Sequence, residues 1–147
     1  MKKITLICVA VFSCLVFSAC GGTPKCDDEK VVENVKFTLA YVVANIVELE
    51  RVAERGGAFT PEHLLKEWAK NSIEVKLDNF GTADSPDICK ASASISSTEF
   101  KAKDSGVIYY KANRNKDKEN GIEIHFVKTE FKRFDMSDYD YLLNGEY

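Results

Sequence analysis

The chain has 147 residues, 45% of them hydrophobic and 29% charged, with a formal net charge of −3. That is one domain's worth of protein, which argues against a multi-domain enzyme or a repeat array. The acidic balance (pI ≈ 5.5) disfavours a nucleic-acid binder, which needs clustered Lys and Arg, and the apolar and aromatic content disfavours wholesale disorder.

Lys2 and Lys3 make a positive start, and an almost uninterrupted apolar run follows from Ile4 to Phe17. The run closes on Ser18-Ala19-Cys20. A short apolar stretch behind a basic start, ending in small residues, reads as a secretory signal. It is shorter than the about 20 apolar residues of an ordinary membrane span. A membrane anchor helix or a buried N-terminal helix is the competing reading.

Phe17-Ser18-Ala19-Cys20 resembles the lipobox of bacterial lipoproteins, with Phe17 standing where Leu is usual. The resemblance covers residues 1–20. It implies that Cys20 is acylated with diacylglycerol and that residues 1–19 are removed by the lipoprotein signal peptidase. It also implies that the new amino group is often acylated. Gly21 rather than Asp after the Cys implies sorting to the outer membrane, by the same resemblance. One acyl chain holds a protein to a bilayer only marginally, whereas two or three hold it stably. The first expected partner is therefore the membrane, through the lipid on Cys20. Removing residues 1–19 leaves 128 residues; because Lys2 and Lys3 depart, the net charge moves from −3 to −5.

The cysteines then sort themselves. Cys8 and Cys14 leave with the signal, Cys20 takes lipid, and Cys26 and Cys89 remain. An even pair in an oxidising compartment predicts one disulfide, Cys26–Cys89. The alternatives are two free thiols or a metal site, and two Cys without a nearby His make a poor zinc site.

Gly21 to Lys25 reads as a tether of at most about 17 Å. Asp27 to Arg55 reads as a long helix. Val32, Val35, Leu39, Val42, Ile46, Leu49 and Ala53 recur at alternating spacings of three and four and form one apolar stripe. Asp27, Asp28 and Glu29 suit the first turn, and Gly56-Gly57 supplies the stop. The spacing also fits a coiled coil, but the strand-rich half that follows needs a helix to cover it. Thr60-Pro61-Glu62 opens a second helix, with Thr60 as N-cap and Pro61 at the first helical position. That helix is expected to end near Asn71, with Leu64, Leu65, Trp68 and Ala69 on its apolar side.

The period then changes to two. Ile73, Val75 and Leu77 alternate with polar residues, as do Cys89, Ala91, Ala93 and Ile95. Cys89 falls on the apolar face of its strand, and Cys26 stands at the start of the first helix, so the disulfide would staple helix to sheet. Val107 to Asn113 and Ile122 to Phe134 supply two more strands around a polar hairpin. Phe131 is out of phase with Ile122, Ile124 and Phe126, which predicts a bulge near Lys128. The expected fold is a single α+β domain over 27–134, with both helices on one face of a four-stranded antiparallel meander. This element order resembles the cystatin-like and nuclear-transport-factor-like architectures, which wrap a sheet around a helix. Asp135 to Tyr147 is acidic, has no Lys or Arg, and interleaves Tyr139, Tyr141 and Tyr147. It reads either as a terminal tail that frays or packs loosely, or as an acidic aromatic docking segment.

Candidate chemistry is sparse. His63 beside Glu62 reads as a solvated helix residue. Glu123 and His125 share one strand face and could form an acid–base pair, but the alternation makes that face the exposed one. Ser92, Ser94 and Ser96 read as a small polar outer face. No nucleophile-elbow, zincin, phosphate-loop or calcium-loop pattern is present. The hairpin bases Lys111, Arg114, Lys116 and Lys118 would suit lipopolysaccharide or an acidic partner, or else are simply solvated.

No cofactor is implied, and the expected function is non-enzymatic. It is that of an outer-membrane-anchored binding module, with an envelope protein as the second expected partner and Tyr139, Tyr141, Lys116 and Lys118 as candidate contacts. The chain also resembles small prophage- and plasmid-borne lipoproteins, some associated with phage exclusion. An inhibitor or immunity protein against a secreted hydrolase is the alternative. A hydrolase using Glu123 and His125 lacks a nucleophile.

Overall fold

The structure, a computed structural model, describes residues 22–99 and 102–144. Two helices come first, α1 (Glu29–Arg55) and α2 (Glu62–Ser72). Four strands follow: β1 (Ile73–Thr82), β2 (Cys89–Ser97), β3 (Ala102–Arg114) and β4 (Ile122–Phe131). A 3₁₀ turn at Ser137–Tyr139 leads into a short helix, α3 (Asp140–Leu143). The strands form one antiparallel sheet in the order β1-β2-β3-β4. This is the α+β meander expected from the change of period. Cys20 and its surroundings lie outside the described residues, as does Tyr147.

The Asp28 side chain accepts the Lys30 N–H at 3.0 Å, so α1 begins at Glu29 rather than at Asp27. Gly56, at φ 70°, ends the helix, and its N–H bonds to the Val52 carbonyl. The buried face of α1 differs from the expected stripe. Val31, Val43 and Val47 are buried, whereas Val32 is only half-buried and Leu49 and Ala53 are exposed. A strict three–four alternation averages 3.5 residues per turn, and a straight helix drifts about 20° from it per heptad. α1 is also contacted by α2, by the sheet and by α3, so its middle is enclosed on several sides.

Helix α2 is capped at Pro61, not Thr60, and without a side-chain hydrogen bond. The Pro61 carbonyl accepts the first helical bond, from Leu65, while the Thr60 N–H is committed to Glu48.

Alternation puts Ile73 and Val75, then Cys89, Ala91, Ala93 and Ile95, then Ile108, Tyr110 and Ala112, then Ile122 and Phe126 on the core face. The two inner strands carry small residues there: Ala91, Ala93, Gly106 and Ala112. These leave room for α1, which also approaches the outer strands β1 and β4. The bulge falls at Val127, one residue before the expected Lys128. Tyr110 pairs with Phe126 and Tyr109 with Lys128, and this shift returns Phe131 to the core side opposite Gly106.

β4 stops at Phe131 rather than Phe134 because Asp104 of β3 captures the chain as it leaves the sheet. Its carboxylate accepts the N–H groups of Lys132, Arg133 and Phe134 at 3.3, 2.7 and 2.9 Å, and that of Ser105 at 2.8 Å. The segment that read either as a fraying or loosely packed tail or as a docking segment is packed on the domain as far as residue 144. Phe134, Met136, Leu142 and Leu143 are buried, and the Asn144 side chain accepts the Phe126 N–H at 2.8 Å. The domain thus continues past residue 134 to α3.

Candidate functional site

Two poles of the molecule differ in chemistry. At one, the start of the described chain is tied down. Cys26 and Cys89 form the expected disulfide, with their Cα atoms 5.5 Å apart. Tyr110 lies opposite Cys89 across β2 and β3 and donates its hydroxyl to the Cys26 carbonyl at 2.8 Å. Burial, aided by the charge of Asp27, pushes that phenol up to about 12. Pro24 is buried. Arg114 donates through Nε to the Gly22 carbonyl at 2.9 Å, so this member of the expected basic cluster holds the tether. Lys111 is committed as well. It pairs with Asp87 at 2.8 Å, and that contact, with the Ser85 hydroxyl, holds the Asp87 carboxyl down at about 2. Lys116 and Lys118 are exposed in the β3–β4 turn, interleaved with the equally exposed Asp117 and Glu119.

The other pole lies beyond the far end of α1. That helix has 27 residues, which at 1.5 Å per residue is a length of about 40 Å. Here Glu48, almost wholly buried, accepts two hydrogen bonds from Arg51, at 2.8 and 2.7 Å. It also accepts the Thr60 N–H at 2.6 Å. Arg51 donates in turn to the Ala58 carbonyl at 2.9 Å. The Arg51 hydrogen bonds, opposed by burial and supported by the Thr60 N–H, hold the Glu48 carboxyl down at about 2. This bidentate pair fixes the loop between α1 and α2.

Two clefts flank that clamp. One, of about 240 Å³, is lined by Val47, Glu48, Leu65, Trp68 and Glu99, with the Trp68 indole donating to Glu99 at 2.5 Å. The other, of about 380 Å³, is floored by buried Tyr41, Leu65 and Leu142 and walled by Leu49, Phe59 and Tyr141. These wall residues are 43%, 59% and 48% exposed, and they are three of the five large apolar side chains left exposed among the described residues. Tyr139 is half-buried beside them. Burial pushes its phenol up, and Tyr141, Asp138 and Glu50 nearby add to the effect.

Of the sequence candidates, Cys26 and Cys89 are joined, and Tyr141 is brought to the second cleft with Tyr139 close by. Lys116 and Lys118 do not join that cleft; Lys118 lines another, of about 140 Å³, with Phe37, Ile124 and Leu142. His63 is exposed on the first turn of α2. Glu123 and His125 lie on the outward face of β4 opposite Asn113 and Lys111, and no hydrogen bond joins them among the described residues. The outward Ser92 accepts a hydrogen bond from Asn79 at 3.2 Å. Among the described residues no three His, Cys, Asp or Glu gather as metal ligands, and no helix is long and apolar enough to cross a membrane.

Sequence reasoning missed Glu48, Arg51, Phe59 and Asp104. Phe59 carried one readable signal, a large apolar residue inside a Gly-Gly-Ala loop bounded by Pro61. Glu48, between Val47 and Leu49, carried another. No known protein family, no curated protein and no solved structure matches this chain.

Proposed function

We propose that this protein is an outer-membrane lipoprotein, anchored through Cys20, that works by binding an envelope protein rather than by catalysis. The observation that carries the reading is the polarity of the domain. The chain leading to Cys20 is clasped at one pole by Arg114, Tyr110 and the disulfide, whereas Leu49, Phe59 and Tyr141 gather around an open cleft at the other. Monomeric domains seldom concentrate exposed large apolar side chains without a use for them, and aromatic side chains are favoured interface anchors. The lipid supplies location, and the cleft supplies contact on the far side of the domain.

The test joins fractionation with mass spectrometry of the N-terminal peptide. The wild-type chain is expected in the outer membrane with acyl mass on Cys20, and Cys20→Ser is expected free in the periplasm. A Cys20→Ser chain that still sediments with outer membrane overturns the anchoring. For the binding half, native crosslinks to envelope protein are expected to be lost in Phe59→Ala and Tyr141→Ala. Crosslinks unchanged in both variants overturn it.

A further inference from the structure

We infer that the cleft walled by Leu49, Phe59 and Tyr141 docks a cationic, amphipathic segment of a protein partner. The inference rests on the binding-module reading above and adds the chemistry of what is bound.

Leu49, Phe59, Leu65, Tyr141 and Leu142 give the cleft an apolar side, with Asn45, Thr60 and Glu62 between them, so the occupant must bring apolar side chains into it. Its rim is acidic. Glu62 lines the cleft, and Glu50 and Asp138 lie close to Tyr139 at its edge, whereas Asp140 lines a separate cleft with Lys128. The neighbouring cations are already committed: Arg51 is held by Glu48, and Lys66 lies 2.5 Å from Glu62. Glu50 and Asp138 therefore leave a negative field at the edge of the trough. Complementary charge steers and selects partners, and like charge excludes them.

The same field disfavours the other occupants. A second copy docking through this face would set two acidic rims against each other, because a two-fold contact places each patch on itself. An anionic lipid surface would be repelled, and the lipid anchor attaches at the opposite end of α1. A cleft of about 380 Å³ admits a few side chains rather than a domain face. A helix or extended segment with apolar side chains on one side and Lys or Arg on the other meets both demands.

The test places a photo-crosslinking benzoylphenylalanine at Phe59 in the full chain, in cells, and sequences the crosslinked peptide. The expected product is a segment of another protein with net positive charge and apolar residues at one-face spacing. Combining Glu50→Lys with Asp138→Lys is expected to lower the yield by roughly fivefold or more, whereas Lys76→Glu, on the exposed face of β1, leaves it unchanged. Both acids are exposed, so the fold should tolerate reversal. Raising salt from about 0.05 to about 0.5 M in isolated membranes should lower the wild-type yield with no variant needed. A crosslink to a second copy, to lipid or to a net-acidic segment overturns the inference. So does no crosslink at all, or a yield indifferent to both charge reversal and salt. A chain that is absent from the outer membrane but makes the cationic crosslink removes the anchoring and leaves the cleft. A chain that is present there without the crosslink removes the cleft alone.

Discussion

The Glu48 carboxylate accepts the backbone N–H of Thr60 at 2.6 Å across the loop that joins the two long helices. That bond, with the bidentate contact from Arg51, ties the start of α2 to the end of α1 and sets the position of Phe59. Glu48 is held at about 2, below its ordinary value of 4.5. A carboxyl whose folded value is depressed contributes stability above its unfolded value, and that contribution is lost as pH falls toward the folded one. Stability should therefore decline between about pH 5 and pH 2. Glu48→Gln should be less stable by about 2 kcal/mol near neutral pH, through loss of charge-assisted hydrogen bonds. It should also show a shallower acid limb. Urea titrations across this range check both, and equal acid limbs would remove Glu48 as the responsible group.

Asp104 holds the departing chain through three successive N–H groups of residues 132–134. Burial opposes its ionisation, but the backbone bonds from Phe134, Arg133, Ser105 and Lys132 outweigh it and lower its value. Asp104→Ala should loosen the path into α3 and so displace Tyr141. We expect faster amide exchange across 132–144, with β1 and β2 retaining wild-type protection. Uniform loss of protection throughout the sheet would show that the carboxylate supports the whole fold instead.

The disulfide closes a loop with a sequence separation of 63. On the chain-entropy account its removal costs about 4 kcal/mol. Cys26→Ser with Cys89→Ser should show that loss in urea denaturation. In addition, Tyr110→Phe should cost about 1 kcal/mol for the hydroxyl bond to the Cys26 carbonyl. A double variant as stable as the parent would mean that Tyr110, Arg114 and packing hold this pole unaided.

Two glycines should respond differently to alanine. A Cβ at Gly106 would stand 1.8 Å from the Glu130 carbonyl oxygen, so the β3–β4 pairing must open. We expect a loss of about 3 kcal/mol or more. Gly121 has open space around it but a φ of +72°, and its alanine variant should lose only about 1 kcal/mol of backbone energy. Thermal melts of the pair decide this, and equal losses would contradict it.

Gly22 is two residues from Cys20 and bonded to Arg114. Two residues span at most about 7 Å, so a lipid on Cys20 brings the β3–β4 turn to the bilayer surface. Lys116 and Lys118 should acetylate more slowly on vesicles than in detergent, whereas Lys76, exposed on β1, should not change. Equal rates for all three in a chain shown to be lipidated would detach the turn from the membrane.

Much of the fold was legible because it follows from neighbours along the chain. The two-residue period of β2 fixes which face Cys89 occupies, and Phe131 falling out of phase required a bulge, found at Val127. The Cys26–Cys89 bond agrees with the pairing expected once the other three cysteines are assigned to a signal peptide and a lipid. The stripe on α1 was legible only in part, since a 3.5 spacing cannot stay aligned on a 3.6-residue helix, and so Leu49 emerged as an exposed wall rather than core.

The cleft itself was not legible. Tyr141 is far in sequence from Leu49 and Phe59, and although it stood out as a candidate contact, nothing in the sequence joined it to them. The three meet because Glu48 grips Thr60 twelve residues on and Asp104 grips residues up to thirty on. By itself the sequence determined period and turn, which depend on the geometry of adjacent residues. Which polar side chain meets which distant backbone group depends on where chains cross in space, and only the tertiary structure decided that.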